Sequence, residues 1–338
     1  MSDPALKWKK SENDALGNLV KVTEPGIGSD PAYVSTYAYS ELGQLLTVTM
    51  PRPGMGAGNA ATVTQTRTWV YDANQRLSST THPESSTTQN PSARYDYNLD
   101  GSVQRKTDAK GQKVEFTYDS DGRVTQRRRY GSNGVEDECG RVNYFYNTQP
   151  FDTAFTQNAA GRLAAAWTGT AGAGCAGIGV GEVIEMYSYT VAGAITKKRM
   201  RIVRANGTVD KDVTYGYGSD GKLATVLYPG GTIPYTYTYD LMDRPVKMTG
   251  PGFAAGNLMD QVKDVAYGVA GQVTSMKYLQ GETEDYSSGS LIGVPYFFEE
   301  IKDFDPLYQM TRQRTTGRSA QGVFGTTLTD IEYVFPAT

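Results

Sequence analysis

Apolar residues along this chain fall in a two-residue beat that is broken, again and again, by a short polar stretch ending in glycine. The recurring order is aromatic, any residue, aromatic, a polar residue often Asp or Asn, two more, Gly, a polar residue, an aliphatic. It is clearest in Phe116-Thr117-Tyr118-Asp119-Ser120-Asp121-Gly122-Arg123-Val124, Trp69-Val70-Tyr71-Asp72-Ala73-Asn74-Gln75-Arg76-Leu77 and Tyr95-Asp96-Tyr97-Asn98-Leu99-Asp100-Gly101-Ser102-Val103. Tyr215 to Leu223 and Tyr237 to Pro245 keep the same frame. With the Gly as origin there are eleven units, centred on Gly17, Gly43, Gln75, Gly101, Gly122, Gly161, Gly193, Gly221, Asp243, Gly271 and Tyr308.

Three columns run through the units. Four residues before the origin stand Tyr39, Tyr71, Tyr97, Tyr118, Tyr189, Tyr217, Tyr239, Tyr267 and Phe304. Six before it stand Tyr37, Trp69, Tyr95, Phe116, Phe155, Tyr187, Tyr215 and Tyr237. Two after it the residue is apolar in every unit except that of Asp243, where it is Pro245. Positions −6 and −4 lie two apart, so on a strand both rings share a face. Asp or Asn at −3 bonds its own backbone two residues on and starts a turn, and Gly supplies the positive φ of a tight hairpin. Each unit therefore reads as strand, turn, strand. A lone hairpin is marginal in water, so the units must add edge to edge.

The predicted fold is all-β: tandem antiparallel β-hairpins forming one continuous, curved or spiralling ribbon, a single array over residues 1–338 without a separate catalytic domain. Intervals between origins vary from 21 to 39 residues, and the extra residues are expected between units, not inside them. The predicted loops are 51–58, 85–91, 131–140, 168–181 and 250–256. Such variation suits an open or spiral sheet better than the constant blades of a propeller.

Composition narrows the function. Charged residues are 20% and the formal net charge is −3, which gives no field for nucleic acid or an anionic membrane. With one His, His82, and two Cys, a multi-His or His-Cys metal site is nearly excluded, and neither a metal nor another cofactor is expected. No run of about 18 apolar residues offers a membrane span. The polar, basic start lacks the apolar segment of a signal peptide.

The Tyr-Asp…Gly-Arg-Val/Leu frame, as in Tyr118 to Val124, resembles the YD repeat of Rhs proteins, insecticidal toxin-complex subunits and teneurins. The resemblance covers about residues 10 to 315 and lies in the aggregate, not in any one copy. It implies a β-ribbon that spirals into a hollow shell, non-enzymatic, exported or at the cell surface, with further Rhs repeat segments and a C-terminal toxin cargo as partners. The alternative it carries is a carbohydrate- or cell-surface-binding module. The family's Asp-Pro-x-Gly-Leu cleavage motif and a toxin domain are missing from these residues. Ile331 to Phe335 read as the first strand of another unit, so a piece of a longer repeat region is expected. The structural repeat is assigned to Tyr39, Trp69, Tyr71, Tyr97, Phe116, Tyr118, Tyr189, Tyr217, Tyr239 and Tyr267, and to Gly43, Gly101, Gly122, Gly161, Gly193, Gly221 and Gly271.

Other motifs dissolve into this frame. Gly172 to Gly177 matches G-x-G-x-x-G, but a strand pattern follows it where a dinucleotide site needs a helix. Asp96-x-Asn98-x-Asp100-Gly101 opens like a calcium loop, yet its twelfth position is Thr107 and no flanking helices are evident. Cys139 and Cys175 fall in consecutive inter-unit loops on one side of the sheet, where a disulfide or two separate thiols are both open. A nucleophilic Cys lacks a His partner, because His82 sits in a distant Thr-His-Pro turn. Arg127-Arg128-Arg129 and Lys197-Lys198-Arg199 alternate between strand faces and read as solvated edges. The aspartates Asp72, Asp119 and Asp240 share a turn column and single out no catalytic pair.

Overall fold

The computed structural model describes residues 8–25, 32–52, 63–85, 91–169, 182–204, 206–252, 256–285, 292–317 and 325–333. They form eleven hairpins and one further strand. The first six hairpins are β1 (Lys10–Asn13) with β2 (Leu19–Glu24), β3 (Tyr33–Tyr39) with β4 (Leu45–Arg52), β5 (Val63–Tyr71) with β6 (Leu77–Thr81), β7 (Ala93–Tyr97) with β8 (Val103–Asp108), β9 (Lys113–Tyr118) with β10 (Val124–Tyr130), and β11 (Val142–Tyr146) with β12 (Leu163–Thr168). The other five are β13 (Glu182–Tyr189) with β14 (Ile195–Arg204), β15 (Gly207–Tyr217) with β16 (Leu223–Leu227), β17 (Tyr235–Tyr239) with β18 (Pro245–Pro251), β19 (Leu258–Tyr267) with β20 (Val273–Asp285), and β21 (Ile292–Phe304) with β22 (Met310–Gly317). The last strand is β23 (Thr326–Glu332).

Every strand pairs antiparallel with the next in the chain, inside hairpins and between them. The product is one open sheet of 23 strands with β1 and β23 at its edges. No α-helix occurs among the described residues; Glu138–Gly140 makes one 3-10 turn. The residues Ile331–Glu332 end β23, paired to β22.

The turns explain the glycines. In ten units the origin N–H donates to the −3 carbonyl and the −3 N–H donates to the +1 carbonyl, as at Gly122, Asp119 and Arg123 with 3.1 and 3.0 Å. That is a type I turn closed by a left-handed residue. All eleven origins have positive φ, from Gly17 at 87° to Gly271 at 82°. The three non-glycine origins adopt it too: Gln75 at 64°, Asp243 at 63° and Tyr308 at 61°. The register just past the turn also repeats. Position −4 faces +2 and −5 faces +4, as in Tyr39 with Leu45 and Ala38 with Thr47. One residue of the return strand is thus extra, a bulge that restores the alternation of faces. Position −6 then faces +5, as in Tyr37 with Val48, Trp69 with Thr80 and Tyr215 with Val226. Val48, Thr80 and Val226 are buried on that tyrosine-bearing face.

The sixth unit departs from the expectation that extra residues fall only between units. Its strands end at Tyr146 and resume at Leu163, so the insertion lies inside the hairpin. Tyr144 and Tyr146 occupy the −6 and −4 columns, facing Ala166 and Leu163. Phe155, placed by the sequence in the −6 column, is not on a strand. The turn still closes because Asn147 stands in for the −3 residue: its N–H donates to Arg162 O at 3.0 Å, and its Oδ1 accepts the Gly161 N–H at 2.7 Å.

The inserted residues fold back onto the sheet. Ile184 and Met186 alternate with Tyr187 and Tyr189 along β13, so they face away from the tyrosines. Phe155 packs on that opposite face against Ala165, Ile184 and Met186, with Phe145, Phe151, Trp167 and Val203 around it. Ala165 and Met186 are fully buried. Polar contacts frame this plug. Asp152 pairs with Arg199 at 2.8 Å, Arg201 donates to Phe151 O at 3.1 Å, and the two arginines are gripped in turn by Asp212 and Asp210. Among the predicted loops, 170–181, 53–62, 86–90 and 253–255 lie outside the described residues, and Gly250 belongs to β18.

Candidate functional site

The chemistry that recurs in this chain is the junction between one hairpin and the next. Ladder bonding across that junction stops short of the turns. In nine of the ten junctions the last residue pair is +4 of one unit with −7 of the next, for example Ser79 with Arg94 and Arg105 with Glu115. Beyond that point the +2 carbonyl has no strand amide opposite it. A half-buried carbonyl left so costs about 1–3 kcal/mol.

The −4 tyrosine of the next unit fills the gap. Tyr39 O–H donates to Leu19 O at 3.0 Å, Tyr71 to Leu45 at 3.2 Å, Tyr97 to Leu77 at 2.7 Å and Tyr118 to Val103 at 2.7 Å. Tyr146 reaches Val124 at 3.1 Å, Tyr189 reaches Leu163 at 2.7 Å and Tyr217 reaches Ile195 at 2.9 Å. Tyr239 and Tyr267 close the series on Leu223 and Pro245, both at 2.7 Å. Nine successive junctions carry the same bond. At a net 0.5–1.5 kcal/mol each, the set contributes roughly 5–13 kcal/mol, on the order of a whole domain's stability.

The neighbouring columns support each tyrosine. At −3, Asp119 Oδ1 accepts the N–H groups of Asp121 and Arg123 at 3.0 and 2.9 Å, and Oδ2 accepts Arg123 Nε at 2.8 Å. Asp72 with Arg76 and Asp240 with Arg244 repeat this geometry. The +1 guanidinium so held lies over the −4 ring of the next unit: Arg76 over Tyr97 at 4.4 Å, Arg123 over Tyr146 at 4.6 Å and Arg244 over Tyr267 at 4.4 Å. Arg162 and Lys222 stand over Tyr189 and Tyr239 at 5.7 and 5.5 Å. Such contacts add about 0.5–1 kcal/mol when exposed. The Asp-to-Arg spacing of the motif is therefore a lever: the carboxylate closes one turn and aims a cation at the next tyrosine.

Titration behaviour follows from these contacts. The backbone N–H of Arg76 and of Arg123 hold Asp72 and Asp119 below the ordinary carboxylate range, and the Arg244 guanidinium does the same for Asp240. Burial pushes the Tyr97, Tyr118, Tyr146, Tyr189 and Tyr217 hydroxyls above the ordinary tyrosine value. Both shifts favour the protonation state the clasp uses.

A family model, the RHS repeat, matches residues 97–134. The chain carries an RHS repeat. That stretch runs from Tyr97 past the Asp119–Arg123 turn, so the match falls on two of the clasps just described. Comparison with curated proteins finds no match. Among solved structures, those of TcdB2-TccC3 with Cdc42 and of TcdB2-TccC3 without its hypervariable C-terminal region are similar at 13% and 12% identity, with TM-scores of 0.48 and 0.49. Each likeness covers 94% of this chain and 18% of the other, so the chain spans under a fifth of their length. A porin-like protein from Bacteroides uniformis is similar at 11% identity and a TM-score of 0.21, over 85% of this chain and 92% of its own. At such TM-scores none of the three decides this chain's fold or role.

The remaining sequence-singled residues sit as follows. Trp69 and Phe116 are −6 residues facing Thr80 and Arg127. Gly43, Gly101, Gly161, Gly193, Gly221 and Gly271 hold the left-handed position of their hairpin turns, as Gly122 does. His82 packs edge-on against Trp69, with ring centroids 5.6 Å apart. Asp100 accepts both the N–H and hydroxyl of Ser102 within its own turn. Cys139 is on the 3-10 turn, while Cys175 and the Gly172 to Gly177 motif lie outside the described residues. Among the described residues no group of three or more His, Cys, Asp or Glu could hold a metal, and no helix is long and apolar enough to cross a membrane.

Sequence reasoning missed two elements. One was the Tyr144/Tyr146 pair, although Tyr144-Phe145-Tyr146-Asn147 carries the same signal as Tyr95 to Asn98. The other was the Arg199–Asp212 and Arg201–Asp210 cross-strand pairs beneath the plug, for which only the register of β14 on β15 gives a clue.

Proposed function

We propose that this chain is a non-enzymatic wall: one RHS-repeat array that adjoins further repeat segments of a longer protein and encloses a toxin cargo outside the producing cell. The supporting observation is the unbroken series of tyrosine bonds across nine junctions. These bonds spend the ladder tyrosines on continuity of the sheet and not on an outside ligand. A continuous ladder leaves no gap through which a protease could draw an extended chain, because every internal edge is paired.

The test is protection. In the intact reading frame to which this segment belongs, the enclosed domain should survive digestion with thermolysin. It should be cut once Tyr97, Tyr118 and Tyr189 are replaced by Phe. Equal digestion of the domain with and without the clasps would overturn the wall. Saturable binding on a glycan array would instead assign the chain to recognition.

A further inference from the structure

On strands β8, β9 and β10 one face pairs Arg105 with acids, while the cations of the tyrosine face make no ion pair among the described residues. Away from the tyrosines, Arg105 Nε lies 3.0 Å from Asp96 and its Nη1 3.8 Å from Glu115. Arg128 on that face donates to Gln126. On the tyrosine face stand Lys106, Arg127 and Arg129, facing Tyr95, Phe116 and Val114 in register. None of the three makes an ion pair among the described residues, and Arg127 Nε is buried without a hydrogen-bond partner. Arg76, Arg123, Arg141, Arg199, Arg201 and Arg244, by contrast, are ion-paired.

Lys106 and Arg129 flank Val114 in a single cross-strand row. With strands about 4.8 Å apart, their backbones are about 10 Å from each other, a span two long cationic side chains close around one small group. They line an open cavity of about 370 Å³ together with Lys113, Val114 and Tyr130. Its two lining acids, Asp108 and Asp137, are already engaged. Asp108 Oδ1 accepts the Lys110 and Gln112 N–H groups at 2.9 Å, and Asp137 Oδ1 accepts the Gly140 N–H at 3.1 Å. Glu136 and Glu138 beyond them are taken by Arg141. Lys106, Lys113 and Arg129 against the two turn-bound carboxylates leave the cavity net positive. Lys106, which stands over the Tyr95 ring, and Arg129 are both exposed, so each is free to donate a charge-assisted hydrogen bond to an entering oxyanion.

We propose that this cavity on the tyrosine face is an oxyanion site, taking a phosphate- or carboxylate-bearing ligand between Lys106 and Arg129. Isothermal titration of the full chain with inorganic phosphate, and separately with succinate, tests it and distinguishes the two sources. One of the anions should bind saturably at one site. Arg129→Gln and Lys106→Gln should each weaken it about tenfold or more, as loss of a charge-assisted bond does. Arg105→Gln, on the other face, should leave it unchanged. Should Arg129→Gln fail to fold by circular dichroism, Lys106→Gln alone decides. Absence of saturation with both anions overturns the site, as does wild-type affinity in folded Lys106→Gln.

Discussion

Replacing Tyr97 by Phe removes one oxygen from the junction between the third and fourth hairpins and leaves the ring. Arg76 keeps its place over that ring, and the facing residue, Val103, is untouched. What is lost is the 2.7 Å bond to Leu77 O. That carbonyl lies beyond the last ladder pair, Ser79 with Arg94, so no strand amide replaces the hydroxyl. The expected loss is about 0.5–1.5 kcal/mol. In an array where each unit touches only its neighbours, the loss falls on one interface and is diluted in any whole-chain midpoint. Amide hydrogen exchange is therefore the assay. Protection of β6 and β7 should fall by about 2- to 13-fold, while β13 to β16 keep theirs. Tyr95→Phe is the control, because its hydroxyl makes no hydrogen bond among the described residues and its ring lies under Lys106. Unchanged protection in β6 and β7, or an equal loss in Tyr95→Phe, would refute the clasp.

Phe304 holds the −4 column where no hydroxyl exists, although its junction ends on the same register, Ser275 with Ile301. Phe304→Tyr should bond Val273 O and stabilise β20 against β21 by about 0.5–1.5 kcal/mol; slower exchange there checks it, and no change argues against the geometry. A Cβ on Gly122 would meet nothing within 4 Å, so Gly122→Ala should lose about 1–2 kcal/mol from backbone strain alone, and Gln75→Gly should gain up to about 1 kcal/mol. Denaturant titration of the two variants must move in opposite directions. Phe155→Ala empties the plug and should cost about 3–5 kcal/mol, read as faster exchange in β12 and β13; protection equal to wild type would mean the plug is not packed. For pH, the clasp tyrosines have folded pKa values raised by burial, so their contribution is full below about pH 10 and lost as pH rises through the folded values. The −3 aspartates are lowered, so theirs is full above about pH 4 and lost as pH falls through the folded values. A melting temperature that holds steady as tyrosinate absorbance rises would contradict the first.

Much of this was legible because the turn is local. Asp119, Gly122 and Arg123 meet within five residues, and the left-handed φ they need leaves a visible glycine in most units. Even Gln75, Asp243 and Tyr308 are found by counting from the rings. The hydroxyl bond was not legible, since Tyr and Phe satisfy a strand pattern equally and Leu77 is 20 residues from Tyr97. The sixth unit was misread for the opposite reason. Counting back a fixed distance from Gly161 lands on Phe155, because a count assumes that nothing is inserted between −3 and the origin. Cross-strand pairs such as Arg199 with Asp212 depend on a register that only the assembled sheet defines.

The way Asn147 closes its hairpin has a consequence for how such chains diversify. One carboxamide spans the stem, holding Arg162 through its backbone and Gly161 through its side chain, so residues 148–160 hang from a stem that is already shut. Foreign sequence entering at that point inherits a finished anchor and leaves the ladder on either side intact. Asn98 presents the same side chain ahead of Gly101. There it donates to Ser102 Oγ while Gly101 bonds the Asn98 carbonyl, so the sixth hairpin's tip alone among the described residues shows how the array gains surface without breaking its ladder.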